Sequence, residues 1–362
     1  MTGLKQRIAD LVLASGPLSV ADYMALCLFD PKQGYYTTRE PFGTEGDFTT
    51  APEISQMFGE LVAIWLRTAW DAAGRPSPFV LAEIGPGRGT LMKDMLRTLS
   101  KLDPAFAAQA SVAMVETSPR LTDIQKRTLG DAAARASWHQ SIDTLPHLPL
   151  FIVGNELFDA IPIRQFVRAG GTWRERAIDL DDAGNLRFVA GAGSVDPALL
   201  PTDAATAPEG AVVEVAPARS ALMETIAARI SSSGGAGLFI DYGYLEPGVG
   251  DTLQALRKHR YEDVLESPGE ADLTSHVDFH ALAMAARVHG LAPHFATQGD
   301  FLLGMGLLER AGSLGAPLDA AGREKIHSEV ERLAGPDAMG NLFKVLAVAR
   351  PEIQLPPFSK AD

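Results

Sequence analysis

The stretch LAEIGPGRGTLMKDML, Leu81–Leu96, decides how the chain folds. It opens as an apolar run that carries one acid, Glu83, and continues through glycines at 85, 87 and 89. Its last part, TLMKDML, spaces apolar residues at helical intervals. A strand, a tight glycine turn and a helix in direct succession form the start of a βαβ unit. Glycines in such a turn let backbone approach a ligand that side chains would exclude.

Outward from this stretch the same rhythm repeats. FVLAEIG (Phe79–Gly85), SVAMVET (Ser111–Thr117) and PLFIVGNELFDA (Pro149–Ala160) hold strands that are apolar throughout, and helical segments TLMKDMLRTLSKL and PRLTDIQKRTLG lie between them. Strands without polar alternation are buried on both faces, so the pattern predicts an α/β domain with a mostly parallel sheet. Upstream, Ile54, Phe58, Leu61, Trp65 and Ala69 recur at three- and four-residue steps and predict one strong helix. Residues 163–190 alternate apolar and polar and predict an antiparallel meander; AVVEVA and GAGLFIDYG then read as a return to the α/β pattern. The expected organisation is a helical segment and cofactor lid at 1–75, half of a Rossmann-like domain at 76–162, and an antiparallel insertion at 163–210. The second half of the domain follows at 211–351, with a tail at 352–362.

Composition bounds the function. The 362 residues are 46% hydrophobic and 21% charged, as in an ordinary globular protein, and the net charge of −13 lacks the basic footprint of a nucleic-acid partner. No apolar run approaches the ~18 residues of a membrane-spanning helix. The opening residues, MTGLKQRIADLVLASG, mix charges with spaced apolar residues and read as an amphipathic helix. Neither a signal nor a transit peptide is expected from them, and a cytoplasmic location follows as an expectation. Cys27 is the only cysteine and lies among apolar neighbours, so it reads as a buried small hydrophobe. His276 and His280 are four apart but lack the glutamate of a zinc-binding helix; no metal is expected.

Two cofactors fit the glycine turn to different degrees. A dinucleotide fingerprint counted from Gly85 puts Thr90 where a third small residue belongs. The alternative is an acid followed by three alternating glycines, the turn that receives S-adenosylmethionine (SAM). In that reading Glu83 serves the amino-acid end of the ligand, while Gly85, Pro86, Gly87 and Gly89 carry the backbone beneath it. Glu116, ending the second strand, accepts the ribose hydroxyls. The spacing leans towards SAM, although NAD sites also use an acid after the second strand.

Further segments extend the reading. GDFTTAPEISQMFGE (Gly46–Glu60), EIGPGRGTLMKDML, VETSP, NELFDAIPIRQF (Asn155–Phe166), IDYGY (Ile240–Tyr244), SPGEADLTSHVDF (Ser267–Phe279) and TQGDFLLGMG (Thr297–Gly306) resemble, in order, the MidA family of SAM-dependent methyltransferases. The resemblance implies a class I methyltransferase fold: seven strands, mostly parallel, with one antiparallel strand near the edge. Mitochondrial members are arginine methyltransferases that act on a subunit of respiratory complex I during its assembly. The resemblance thus implies a protein substrate of that kind, and a bacterial member of the family.

An arginine acceptor makes specific demands. Its guanidinium stays protonated, so carboxylates must orient it and accept a proton as transfer proceeds. Glu156 and Asp159 are the candidates for that role, sharing a face if the segment turns helically, and Asn155 serves the cofactor side. Asp241 occupies an equivalent strand end. Gly46 and Asp47, in GDFTT, are expected to line a lid over the cofactor, with Glu53 and Glu60 on the helix behind it. Competing readings are a methyltransferase of another protein or of a small molecule, an NAD-linked oxidoreductase, and a non-catalytic assembly protein. The oligomeric state is not encoded in any motif.

Overall fold

The structure is a computed structural model that describes residues 3–38 and 50–358. The described chain forms two compact units: one from residues 50–157, 221–243 and 281–358, the other from 3–38, 158–220 and 244–280.

The first unit is built on seven strands lying on one hydrogen-bonded path. They are β1 (Phe79–Ile84), β2 (Ala110–Val115), β3 (Ala136–His139), β4 (Leu150–Asn155), β5 (Gly235–Tyr244), β6 (Ala292–Thr297) and β7 (Phe343–Ala349). Their spatial order is β3-β2-β1-β4-β5-β7-β6. All pairs from β3 to β5 are parallel, and β7 runs antiparallel to both β5 and β6. The mostly parallel sheet expected from the apolar runs is therefore present, with its antiparallel strand one place in from an edge. Every residue of β1 and β4 is buried, which is why neither strand shows polar alternation.

Three helices matter for the site: α1 (Gln56–Ala72), α2 (Thr90–Leu102) and α3 (Pro119–Leu129). The periodic residues Phe58, Leu61, Trp65 and Ala69 of α1 are all buried, as their spacing requires. The helix starts later than the sequence pattern suggested. Residues Ala51–Ile54 form a separate short helix, and Ser55 begins α1 with its hydroxyl accepting the Met57 N–H. Helix α1 passes close to α2 at Gly59, where an added Cβ would lie 2.7 Å from Asp94 Cβ. Gly59→Val should therefore overpack this crossing and cost about 1–3 kcal/mol. A denaturant midpoint equal to that of the wild type would show that the crossing can relax.

The second unit is antiparallel. Strands Arg164–Ala169, Thr172–Leu180 and Leu186–Ser194 form successive hairpins. Val212–Val215, read above as part of the α/β pattern, pairs antiparallel with Arg164–Ala169 instead. A four-residue apolar run carries no directional signal, and the neighbouring strand decides which sheet it joins. Arg219 is 2% exposed and donates to the carbonyls of Asp159, Ile161 and His276 at 2.8–3.1 Å and to Ser275 Oγ, tying together two segments of this unit. Cys27 is fully buried in the same unit, and burial pushes its thiol up to about 12, so it is the inert hydrophobe its neighbours implied.

Candidate cofactor and acceptor site

The strand order fixes where a ligand can lie. After β1 the chain builds outward through β2 and β3, then returns to place β4 on the other side of β1. The order reverses between β1 and β4, and in such sheets the crevice at the carboxyl ends of those two strands receives the ligand. Glu83 lies opposite Val153 in the register, so Glu83 and Asn155 sit near the carboxyl ends of adjacent strands at that crevice.

The turn after β1 explains its glycines. Gly85, Gly87 and Gly89 have φ of +65°, +51° and +82°, values that side-chain-bearing residues rarely adopt. An added Cβ at Gly85 would also lie 2.8 Å from Leu157 Cδ1. Buried Pro86 closes the turn by accepting the Gly89 N–H at 2.7 Å, and Gly89 begins α2. Glu53 accepts a hydrogen bond from Thr90 at the first turn of α2, which attaches the short helix Ala51–Ile54 to the glycine turn.

Glu83 is 3% exposed. Its carboxyl takes the backbone N–H of Met92 in α2, yet its Oε2 is buried without a hydrogen-bond partner among the described residues. Burial, with a smaller push from nearby Glu116, raises its pKa from the ordinary 4.5 to about 8. Asn155 Oδ1 is buried and unpartnered in the same sense. Two orphaned acceptors at adjacent strand ends are what the ammonium of a ligand's amino-acid end would satisfy.

Glu83 also sets a pH dependence. Folded, the carboxyl holds its proton to about pH 8; unfolded, it loses it near 4.5. Between these values the folded state binds more protons, so stability of the ligand-free protein falls as pH rises through the window and levels off above it. The loss is about 1.4 kcal/mol for each pKa unit of displacement. Melting curves from pH 5 to 9 should show this slope, and Glu83→Gln should flatten it. An unchanged slope in the variant would assign the effect to another group.

Glu116, just after β2, is half-buried. Its Oε1 accepts the Ser118 N–H at 2.7 Å and its Oε2 accepts from Gln125 Nε2 at 3.0 Å. Gln125 and Leu157 are site residues that the sequence reading missed: one lies mid-helix, the other in an apolar run, and neither position carries a motif.

Past β4 the chain bends without forming a helix. Glu156 takes φ +50°, a strained value for a residue with a side chain. Its N–H is held by the Ile240 carbonyl at 2.8 Å. Its Oε1 accepts from Asn155 Nδ2 at 3.0 Å and from the Ala51 N–H at 3.3 Å. The next residue, Leu157, donates its N–H to Asp241 Oδ2 at 3.1 Å, and Asp241 Oδ1 accepts the Tyr242 N–H. Asp241 is fully buried and buttresses the Glu156 bend from β5.

The remaining candidates lie elsewhere. Glu156 and Asp159 do not share a helical face, because the positive φ at Glu156 turns the chain, and buried Asp159 belongs to the antiparallel unit. Glu60 is 4% exposed and paired with Arg97 and Arg310 at 2.6–3.1 Å, so it is a packing ion pair. Gly46 and Asp47 lie outside the described residues.

Strand order, glycine turn and flanking acids define an α/β fold with a cofactor crevice at its switch point, and comparisons with known proteins give the class of enzyme and its cofactor. A model of the S-adenosyl-L-methionine-dependent methyltransferase family matches residues 61–297, and the chain belongs to that family. It is similar to the mitochondrial protein arginine methyltransferase NDUFAF7 of Danio rerio, 35% identical over 95% of this chain and 86% of the relative. It is likewise similar to the Homo sapiens protein of that name, 33% identical over 96% of this chain and 83% of the relative. Among solved structures it resembles a COG1565 superfamily member from Burkholderia thailandensis bound to S-adenosyl-homocysteine. That likeness has a TM-score of 0.82 at 30% identity and covers 97% of this chain and 93% of the other. The chain is a SAM-dependent methyltransferase, and SAM is its cofactor. The mitochondrial relatives overturn the cytoplasmic location expected from the N-terminal residues. Among the described residues no helix is long and apolar enough to cross a membrane.

Proposed function

We propose that the chain methylates arginine side chains of a protein substrate, with Glu156 gripping the acceptor guanidinium and taking its proton. SAM, when bound, supplies an electrophilic methyl group on a sulfonium centre. Glu83 and Asn155 would hold its amino-acid end, Gly85, Pro86, Gly87 and Gly89 would pass beneath it, and Glu116 would take the ribose hydroxyls.

The observation that carries the acceptor role is the strained bend at Glu156. A carboxylate held at φ +50° beside the switch point, with its Oε1 fixed by Asn155 and Ala51, is preorganised for a task that packing alone does not require. A carboxylate also meets the need of a protonated acceptor. It localises the guanidinium charge away from the attacking nitrogen and accepts a proton as the new bond forms. Asp241 acts through the bend by holding Leu157. The names of the mitochondrial relatives support arginine as the acceptor. The resemblance to the MidA family supports a subunit of respiratory complex I as the substrate.

Incubating the protein with SAM carrying an isotopically labelled methyl group in a cell lysate tests this reading. Mass spectrometry should find the label on arginine in a complex I subunit. Label confined to lysine or to small molecules would refute the arginine assignment, and label on arginine of unrelated proteins would refute the substrate.

A further inference from the structure

We propose that Gln125 is a positioning residue that locks Glu116 and the glycine turn into one preformed cradle and thereby sets recognition of the donor's ribose. The inference rests on the reading of Glu116 as the ribose acid.

Gln125 is fully buried in α3. Its Nε2 donates to the Gly87 carbonyl at 2.9 Å and to Glu116 Oε2 at 3.0 Å, while its Oε1 accepts from Trp138 Nε1 at 2.9 Å. This triad admits only one orientation of the amide. An indole N–H can only donate, whereas a carbonyl and a carboxylate can only accept, so both amide hydrogens face the turn and the acid. Trp138, on β3, thus fixes the amide, and the amide fixes two groups from different strand ends. Helix α3 also packs against the turn: a Cβ added at Gly89 would lie 3.4 Å from Gln125 Cα and 3.1 Å from Leu129 Cδ1.

The arrangement has a purpose beyond packing. A bidentate hold on two ribose hydroxyls needs the Glu116 carboxylate in one rotamer. The Ser118 N–H anchors only one of its oxygens; Gln125 holds the other. Because the same amide holds the Gly87 carbonyl, the acid and the turn keep a fixed spacing. Removing the amide frees the carboxylate to rotate and leaves the Gly87 carbonyl without that donor.

The test is calorimetric titration with S-adenosyl-homocysteine and with its 2′-deoxyribose analogue, on wild type, Gln125→Leu and Trp138→Phe. The wild type should prefer the ribose ligand about tenfold or more, Gln125→Leu should lose most of that preference, and Trp138→Phe should lose part of it. General loosening of the fold would weaken both ligands equally and leave the preference intact. A wild type that prefers the ribose ligand, with Gln125→Leu retaining the full preference, overturns the role of Gln125 alone. A wild type without any preference overturns the ribose role of Glu116, and the inference with it. If Gln125→Leu does not fold, an undiminished preference in Trp138→Phe overturns the inference.

Discussion

Gly87→Val is expected to lower the affinity for S-adenosyl-homocysteine about a hundredfold or more, equivalent to ~2.7 kcal/mol. Two effects act together. Gly87 has φ +51°, where a β-branched side chain is a severe outlier, so the turn must change shape. Its carbonyl is also a fixed point of the cradle, gripped by Gln125, so a reshaped turn pulls on the hydrogen bond that positions Glu116. Calorimetry reads the loss directly, and a melting curve of the ligand-free variant separates it from unfolding. Unchanged affinity would mean that the turn does not carry the donor.

Glu156→Gln is expected to lower methyl transfer by about 10²-fold or more while leaving S-adenosyl-homocysteine affinity within about threefold of wild type. The amide keeps the size of the side chain, and its oxygen can still accept from Asn155 and Ala51, so the bend survives. What disappears is the negative charge, and with it both the grip on a guanidinium and a destination for its proton. The effect should fall on kcat at saturating donor. Wild-type turnover in this variant would remove Glu156 from the chemistry and leave its strained backbone as a packing feature.

Several of these features were legible in the sequence for identifiable physical reasons. Strands β1, β2 and β4 announced themselves because burial on both faces demands continuous apolar residues. The glycine turn did so because positive φ at three nearby positions demands glycine. Strand β3, Ala136–His139, is only partly buried and too short to show a period. The antiparallel strand near the edge was implied only by the resemblance, and the strand order only by the structure, since periodicity carries no information about neighbours.

Tertiary contacts were harder to see. Glu60 looked like a residue on a helix face, and its partner Arg310 lies 250 residues away. Glu156 gave no sign of its strain, because a non-glycine residue at positive φ leaves no mark on composition. Gln125 sits in an ordinary amphipathic helix and becomes meaningful only once Trp138, Gly87 and Glu116 surround it. The acids at the strand ends were visible from pattern, whereas the groups that aim them were not.

The most direct measurement is a crystal structure of this chain with S-adenosyl-homocysteine. The expected result places the amino-acid end of the ligand on Glu83 Oε2 and Asn155 Oδ1, the two buried acceptors without partners among the described residues, and the ribose hydroxyls on Glu116. A ligand seated away from the β1–β4 switch point, or one that leaves Glu83 Oε2 and Asn155 Oδ1 unpaired, would contradict the assignment of this crevice as the donor site.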